Sequence, residues 1–455
     1  MVDARPSTGS AGSAYLRNHP FRTPEWRRTG FTTVSLGIAR TLSPGAKVTS
    51  PKQTSIVARP GVRTRTPRPG RVAAWLIAAI LFLVLAFYAF GGWYFSGEIY
   101  SSALQVHPPE VGDLDITLDR GESEALVLRG KEDAVNLLED GRFGLMWDSG
   151  ESLVDGIISF NTAGGQSTVY RDRVADTPIP APGSPVRLDS YVWSGDPQTA
   201  LGILYTEITY EVEGGQADAW YVEGSTDTWM IFVHGKGAPK NEALRLLPLA
   251  VDRGYHAMVI DYRNDPGAPP DPSGIYHYGA TEWKDVASAT RHARSNGGRD
   301  VVIVGYSMGG ANVMSFLLES PLRSQTVAVI LDSPVLNFGS TVDYAASQTN
   351  LPLTSVAVPQ SLTAVAKWIA GWRYDIDWNE TDYVTRSRDL QTPLLVIQGS
   401  ADKTVPPEPA NELARLRPDI VTLSTPQGVG HVLGWNADPD GYEAVVNTFL
   451  DNLGA

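Results

Sequence analysis

The sequence contains no cysteine among its 455 residues. This absence excludes a disulfide framework, a zinc site with thiolate ligands and a cysteine nucleophile. Charge is locally absent as well, because no charged residue occurs between Arg71 and Glu98. The overall composition, 42% hydrophobic and 19% charged, is that of a globular protein and argues against wholesale disorder or a fibrous repeat.

The charge is divided unevenly along the chain. Residues 1–71 contain 13 Lys and Arg and only two acids, Asp3 and Glu25, a net charge of +11, whereas the remainder carries −24. Residues 1–71 are rich in Arg, Pro, Ser, Thr and Gly without apolar periodicity, which predicts a disordered basic tail. Because the excess of basic residues is confined to this tail, we expect no nucleic-acid partner.

The charge-free stretch, residues 72–97, separates the tail from the rest. Its 26 residues would form a helix of roughly 39 Å, longer than the ~30 Å hydrocarbon core of a bilayer. The positive-inside rule predicts a single-pass anchor in the cell membrane with the N-terminus in the cytoplasm and the chain after residue 98 outside, because the stretch is preceded by Arg63, Arg65, Arg68 and Arg71. A cleaved signal peptide is the alternative, with Ser101-Ser102-Ala103 as a weak cleavage site.

Residues 98–200 are predicted to form short strands joined by turns. The strand candidates are Ala125–Arg129, Phe143–Trp147, Gly156–Phe160 and Ser167–Arg171. A linker-like cluster of prolines follows at Pro178, Pro180, Pro182 and Pro185. No catalytic motif occurs here, so we expect a structural role, either as a small β-rich domain or as a collar on the next one.

Residues 201–455 alternate between apolar strands and helices, one of which is predicted at Glu242–Arg253. The middle strands are uninterrupted apolar runs such as WMIFV and VVIV, which suit a parallel sheet buried on both faces. The first two strands alternate in polarity, as expected for an antiparallel edge. This order predicts an α/β fold with a mostly parallel, doubly wound sheet and a site at the carboxyl ends of its strands.

The sharpest motif is Gly305-Tyr306-Ser307-Met308-Gly309, which fits G-x-S-x-G. It follows an apolar strand directly and precedes a helical run, the context in which a strained turn exposes a nucleophilic serine. A serine hydroxyl needs a base, and His431 is the only histidine after Ser307. The acid that orients this histidine is predicted to be Asp402, which follows the penultimate strand, with Asp332 as the alternative.

Two backbone N–H groups are needed to hold the oxyanion. One is expected from Met308, the residue after the nucleophile, and the other from the turn His234-Gly235-Lys236-Gly237. Within this turn we assign Lys236, with Gly235 as the next candidate. His234 is expected to brace the turn, and the Lys236 side chain either reaches an anionic substrate group or is solvated.

Together these motifs resemble the α/β-hydrolase superfamily. HGKG, GYSMGG, GSADKTVP and GVGHVLGW follow the third, fifth, seventh and eighth strands in the order of that superfamily. The details are most similar to the branch of Bem46-like, ABHD12/13-like and serine-aminopeptidase-like hydrolases. The resemblance implies hydrolysis of an ester, a thioester or, less often, an amide, without cofactor or metal, with esterases of class EC 3.1.1 as the expected class. HGKG differs from the HGGG of many lipases.

An insertion of about 60 residues, roughly 334–390, follows the sixth strand of the predicted domain. It is interpreted either as a lid over the acyl pocket or as a helix packed on its own core. The sequence thus predicts a membrane-anchored serine hydrolase acting on a small-molecule or lipid-derived acyl ester. An acyltransferase or serine peptidase with the same triad, and a non-enzymatic anchored scaffold, are the alternatives.

Overall fold

The structure is a computed structural model that describes residues 69–107, 112–121, 125–175 and 177–453. It begins with helix α1 (Pro69–Ile99), which continues into a π-helical turn at Tyr100–Leu104. Among the described residues, Gly70–Leu104 is the one helix long and apolar enough to cross a membrane. Nearly all of the predicted basic tail, residues 1–68, lies outside the described residues.

A closed barrel of six antiparallel strands follows α1. Its strands are β1 (Ile116–Gly121), β2 (Ala125–Lys131), β3 (Phe143–Trp147), β4 (Gly150–Ala163), β5 (Gln166–Arg173) and β6 (Pro185–Asp189). They are hydrogen-bonded in the order β1-β2-β5-β4-β3-β6, and β6 pairs with β1 to close the ring. Sequence reasoning missed β1 and β6, and Pro185, assigned to a linker, is the first residue of β6. Proline is tolerated at that position because a first residue can omit its ladder N–H.

The second sheet has eight strands and carries the larger core. After the short helix α2 (Pro197–Leu201) come β7 (Thr206–Val212), β8 (Gly215–Val222), β9 (Thr228–Val233), β10 (His256–Ile260), β11 (Asp300–Tyr306), β12 (Thr326–Asp332), β13 (Leu394–Ile397) and β14 (Val421–Ser424). The spatial order is β14-β13-β12-β11-β9-β10-β8-β7. As predicted, β9 to β14 pair in parallel, and β7 and β8 form an antiparallel edge.

Helices cover both faces of this sheet. They are α3 (Leu247–Asp252), α4 (Trp283–Ser295), α5 (Met308–Glu319), α6 (Phe338–Ser347), α7 (Gln360–Tyr374), α8 (Glu408–Leu416), α9 (Gly434–Ala437) and α10 (Pro439–Leu453). The single helix predicted at Glu242–Arg253 is wrong, because a 3₁₀ turn at Lys240–Arg245 ends before α3 begins. Pro248 explains the break, since proline fits the first turn of a helix and not its interior.

The insertion between β12 and β13 contains α6 and α7, and α7 packs along the C-terminal half of α1. The end of α1 is also fixed to the eight-stranded domain, because Ile99 and Leu104 are buried in its core. These two residues fall in the predicted β-rich segment 98–200, yet they pack with the sheet rather than with the barrel. The anchor helix, the insertion and the carboxyl ends of the strands therefore meet in one region.

Candidate active site

Ser307 lies at the sharp turn between β11 and α5. Its backbone has φ of 50°, an unusual value for a non-glycine residue. Glycines permit this turn by allowing close contacts, since a Cβ on Gly309 would come 2.2 Å from the carbonyl oxygen of Val233. A Cβ on Gly305 would come 2.9 Å from that of Gly309. The strained turn places the Ser307 hydroxyl at the carboxyl edge of the sheet.

His431 joins Ser307 to Asp402. Its Nε2 lies 2.9 Å from the Oγ of Ser307, and its Nδ1 lies 2.8 Å from the Oδ2 of Asp402. The contact with a carboxylate favours the tautomer with a proton on Nδ1, which leaves Nε2 free to accept a proton from the serine. The structure thus brings together three side chains that are 95 and 29 residues apart in the sequence.

Asp402 is held by a complete set of hydrogen bonds. The backbone N–H groups of Thr404 and Val405 donate to Oδ1, each at 2.8 Å, and Gln398 Nε2 donates to Oδ2 at 3.0 Å. The residue is only 2% exposed. Because each oxygen has a partner other than His431, the carboxylate cannot rotate without breaking several bonds, and its orientation is fixed before a substrate binds.

Asp332, the alternative acid, lies behind this chain of contacts. Its carboxylate accepts hydrogen bonds from Ser333 Oγ and Tyr442 Oη, both at 3.1 Å, and burial raises its pKa to about 6. Ser333 Oγ in turn accepts a bond from the backbone N–H of Val432 at 2.9 Å. Asp332 therefore contacts the His431 loop through Ser333, whereas Asp402 contacts the imidazole directly.

The HGKG turn lies next to Ser307, and it offers two candidate oxyanion donors, the backbone N–H groups of Gly235 and Lys236. The Gly235 N–H donates to Glu242 Oε2 at 2.7 Å, so it is already used within the protein. Lys236 lines the cavity beside Ser307 together with Met308. Because the Gly235 N–H is occupied, Lys236 stays the predicted oxyanion donor of this turn, and Glu242, which sequence reasoning did not single out, fixes the turn through the Gly235 hydrogen bond.

The Lys236 side chain contacts the anchor. Its Nζ donates to the carbonyl oxygen of Ser102 in the π-helical turn after α1, and burial lowers the pKa of this amine. The amine thus has one partner within the protein, and the two sequence expectations, a solvated lysine and one that binds an anionic substrate group, stay predictions. The hydroxyl of Tyr278 donates to the neighbouring carbonyl of Ala103 at 3.1 Å. The end of α1 is thus attached directly to the site.

His234 braces the same turn from within the protein. Its Nδ1 lies 2.9 Å from the Gly235 carbonyl oxygen, and its Nε2 lies 3.1 Å from Asp265. Burial opposes protonation, but the charge of Asp265 and the bond to Gly235 outweigh it and raise the pKa of His234 to about 9. The imidazole also stacks on Tyr262 with ring centres 4.6 Å apart.

One group among the described residues has metal-ligand spacing, formed by His234, Asp261 and Asp265. Cationic side chains already neutralise its carboxylates, because Lys240 pairs with Asp261 and His234 pairs with Asp265. This donor set therefore fits an internal charge network that stabilises the HGKG turn. The group does not include Ser307, His431 or Asp402.

The barrel supports the loop that carries His431. Val429 and Leu433, on either side of the histidine, are buried in the barrel core. Asn436 is fully buried at the same junction, where its Nδ2 donates to the carbonyl oxygens of Arg142 at 2.7 Å and Ser190 at 2.9 Å. Sequence reasoning missed this role, because no local signal links residues 142 and 190 to residue 436.

We expect Asn436→Ala to lower the free energy of unfolding by about 3 kcal/mol, because three buried hydrogen bonds are lost. The third is donated by Arg245 to Asn436 Oδ1 at 2.8 Å. Urea unfolding of the full chain in detergent measures the change, with the exposed Asn452→Ala as the matched control. Equal stability of the two variants would show that the barrel junction contributes nothing.

Residues 230–445 match the model of a family described as "Alpha/beta hydrolase family". No curated protein sequence matches the chain. Similar solved structures include the esterase Pf2001 from Pyrococcus furiosus, at 18% identity and a TM-score of 0.45, covering 57% of this chain and 96% of that one.

Two further structures have the same extent of overlap. The esterase RhEst1 from Rhodococcus sp. ECU1013 has 17% identity and a TM-score of 0.38, covering 55% of this chain and 99% of that one. A bromoperoxidase from Bacillus anthracis has 16% identity and a TM-score of 0.38, covering 54% and 100%. The family match does not distinguish the branch within the superfamily, which stays a prediction.

Proposed function

We propose that the protein is a membrane-anchored serine hydrolase that cleaves a carboxylic ester or thioester. The premise is that residues 230–445 of this chain belong to the α/β-hydrolase superfamily. The observation that carries this proposal is the contact chain of Ser307, His431 and Asp402 at the carboxyl edge of the sheet. A serine beside a histidine that is oriented by a buried carboxylate is the arrangement needed to activate a hydroxyl.

In the proposed reaction, Ser307 Oγ attacks the acyl carbonyl while His431 Nε2 takes its proton. The resulting oxyanion is held by the backbone N–H groups of Met308 and Lys236, and Asp402 stabilises the imidazolium. His431 then gives the proton to the leaving alcohol or thiol, which leaves an acyl-serine. Water, deprotonated by His431, attacks this ester and releases the acid, so Ser307 regains its proton.

The proposal includes anchoring by α1 with the catalytic domain outside the cytoplasm. The weak candidate for a signal-peptide cleavage site, Ser101-Ser102-Ala103, lies inside the π-helical turn. This position supports retention of the helix. The carbonyls of Ser102 and Ala103 accept bonds from Lys236 and Tyr278, and Leu104 is buried in the domain core. Cleavage there would separate α1 from a domain against which it is packed.

A fluorophosphonate probe tests the proposed nucleophile. We expect the full-length protein to be labelled and the Ser307→Ala variant to fall to background, because the probe reacts only with an activated serine. Ser347→Ala is the matched control, since this serine is exposed on α6. Labelling of Ser307→Ala at the wild-type level would overturn the assignment of Ser307 and indicate another activated serine, whereas no labelling of the wild type would favour a non-enzymatic scaffold.

The reaction products identify the acceptor of the acyl group. A p-nitrophenyl ester, an aminoacyl-anilide and an added alcohol are offered to the wild-type enzyme, and the released compounds are identified. Free acid from the ester supports the hydrolase, whereas an ester of the added alcohol indicates an acyltransferase. Faster cleavage of the anilide than of the ester indicates a serine peptidase.

A further inference from the structure

We propose that an exposed face of the insertion lies in the extracytoplasmic leaflet of the membrane and that the substrate is a long-chain acyl ester taken from this leaflet. The face, here called the lid face, consists of Leu353, Val356, Trp368 and Trp372 on the hairpin 349–358 and on α7. This inference rests on the proposed function, whose site and anchor it uses, and it specifies the substrate class and the route to Ser307.

The first argument is the length of α1. Residues 71–85 are exposed on every side, and these 15 residues span roughly 22 Å, less than the ~30 Å hydrocarbon core. Even if the core begins at Val72, directly after Arg71, about 20 residues are needed to cross it, which extends the core to Gly91. A tilted helix would extend it further. The last part of the core therefore includes helix that protein covers on one side.

The protein that covers this part is α7, which runs beside α1 in the same direction. At its first turn, Ser361 Oγ lies 2.8 Å from the hydroxyl of Tyr88, and at its end Tyr374 stacks on Tyr100. The two helices are in close contact, because a Cβ on Gly92 would come 2.7 Å from Val365. The first turn of α7 is thus at the depth of Tyr88, within the hydrocarbon core by the length argument.

The composition of the insertion fits this depth. No charged residue occurs in the 23 residues from 344 to 366, which include the hairpin and the first half of α7. Leu353 is fully exposed, and Trp368 and Trp372 are each 75% exposed. Ile369, the neighbour of Trp368, contacts Gly92, so this indole is at the membrane–water interface where tryptophan is favoured.

The two basic residues of α7 are paired within the protein. Lys367 donates to Asp343 at 2.6 Å, and Arg373 stacks on the ring of Trp93 at 3.9 Å while it donates to Ser96 Oγ at 2.7 Å. The charge of Lys367 is therefore compensated by a carboxylate, and the guanidinium of Arg373 is held by an aromatic ring and a hydroxyl. The lid face itself is apolar and continues the apolar surface of α1, which is the reason to assign a bilayer rather than a second protein to it.

The cavity beside Ser307 connects these parts. It has a volume of about 430 Å³, and Ser307 and Met308 are among the residues that line it. The anchor forms one wall with Tyr94, Phe95 and Ile99, and the hairpin forms another with Pro352 and Val358. Because a membrane-spanning helix and a leaflet-bound hairpin both line it, an acyl chain can pass from the leaflet to the serine without entering bulk water.

The first test compares two substrates of the full-length protein in phosphatidylcholine vesicles. For Trp368→Ser/Trp372→Ser, we expect kcat/KM for vesicle-embedded p-nitrophenyl palmitate to fall at least about tenfold, because the face loses its interfacial anchors. The value for water-soluble p-nitrophenyl acetate should stay within about twofold of wild type, since the triad is unchanged. Leu204→Ser/Val135→Ser, which replaces two exposed residues outside the lid face, is the matched control.

The second test measures the depth of the lid face in the membrane and does not depend on enzymatic activity. It relies on the absence of cysteine from the natural sequence, so that an introduced cysteine is the single thiol. Leu353→Cys and Trp368→Cys each provide a single attachment site for a fluorophore, and Leu204→Cys is the control. We expect brominated lipids to quench the first two labels and not the third. Equal quenching of all three by aqueous iodide, or an equal loss of both activities in the double variant, would overturn the inference. Failure of the proposed function is distinct, because wild type would then not hydrolyse the acetate ester.

Discussion

The His431→Ala variant is expected to lose kcat for a p-nitrophenyl ester by roughly 10⁵-fold or more. Among the residues that the structure describes, the His431 imidazole alone contacts both the Ser307 hydroxyl, at 2.9 Å, and the Asp402 carboxylate, at 2.8 Å. Without it, Ser307 keeps its proton and cannot attack, so the loss should equal that of Ser307→Ala. Stopped assays at saturating substrate, with the residual rate compared with buffer, measure this effect.

The effects of replacing Ser307 and His431 are expected to be non-additive. Because they act as one unit, the double variant Ser307→Ala/His431→Ala should be no slower than either single variant. His277→Ala is the matched control, since this histidine pairs with Asp271 and Ser273 away from the site and should leave kcat unchanged. Multiplicative losses in the double variant, or a large loss in the control, would contradict a shared catalytic role.

The second large effect is expected for Asp402→Asn, with a loss in kcat of about 10⁴-fold. Oδ2 of Asp402 accepts from both His431 Nδ1 and Gln398 Nε2. An amide nitrogen at that position would face two donors, and an amide oxygen there would turn the nitrogen toward the N–H groups of Thr404 and Val405. In the first case His431 shifts its proton to Nε2, and the base for Ser307 is lost.

The matched variant is Asp332→Asn, which tests the alternative acid. Its partners, Ser333 Oγ and Tyr442 Oη, are donors that an amide oxygen can still accept, so kcat should stay within about fivefold of wild type. A small change in kcat is consistent with this expectation. The Asp332 carboxyl has a raised pKa of about 6, and its ionisation changes the electrostatic field behind the His431 loop. A greater loss for Asp332→Asn than for Asp402→Asn would reverse the assignment of the acid.

The eight-stranded domain is contacted on two sides by parts outside its own sheet. The barrel packs around the His431 loop through Val429 and Leu433, and the anchor contacts the HGKG turn through Lys236. Val429 and Leu433 are each two residues from His431, and Lys236 itself supplies a proposed oxyanion donor. We therefore interpret the barrel as a collar that positions the histidine and the end of α1 as a support for the oxyanion donors.

Much of the fold could be predicted because its signals are local. The apolar runs of β9 and β11 indicate buried parallel strands, and G-x-S-x-G between a strand and a helix specifies a turn that only glycines permit. The superfamily predicted from these motifs is confirmed by the family match over residues 230–445. The barrel was harder to predict from the sequence, because Pro185 resembles a linker residue until its pairing with Thr117 is known.

The sequence by itself determined the nature and the order of the functional groups: one serine elbow, one downstream histidine, two candidate acids and a charge-free stretch of 26 residues in a chain without cysteine. Only the tertiary structure decided which acid contacts the imidazole, that Glu242 occupies the Gly235 N–H, and that α1 forms a wall of the cavity. Turns and buried strands are specified by neighbours in the chain. Contacts between residues up to 294 apart, such as Asn436 with Arg142, depend on how all elements pack together, and no local pattern encodes them.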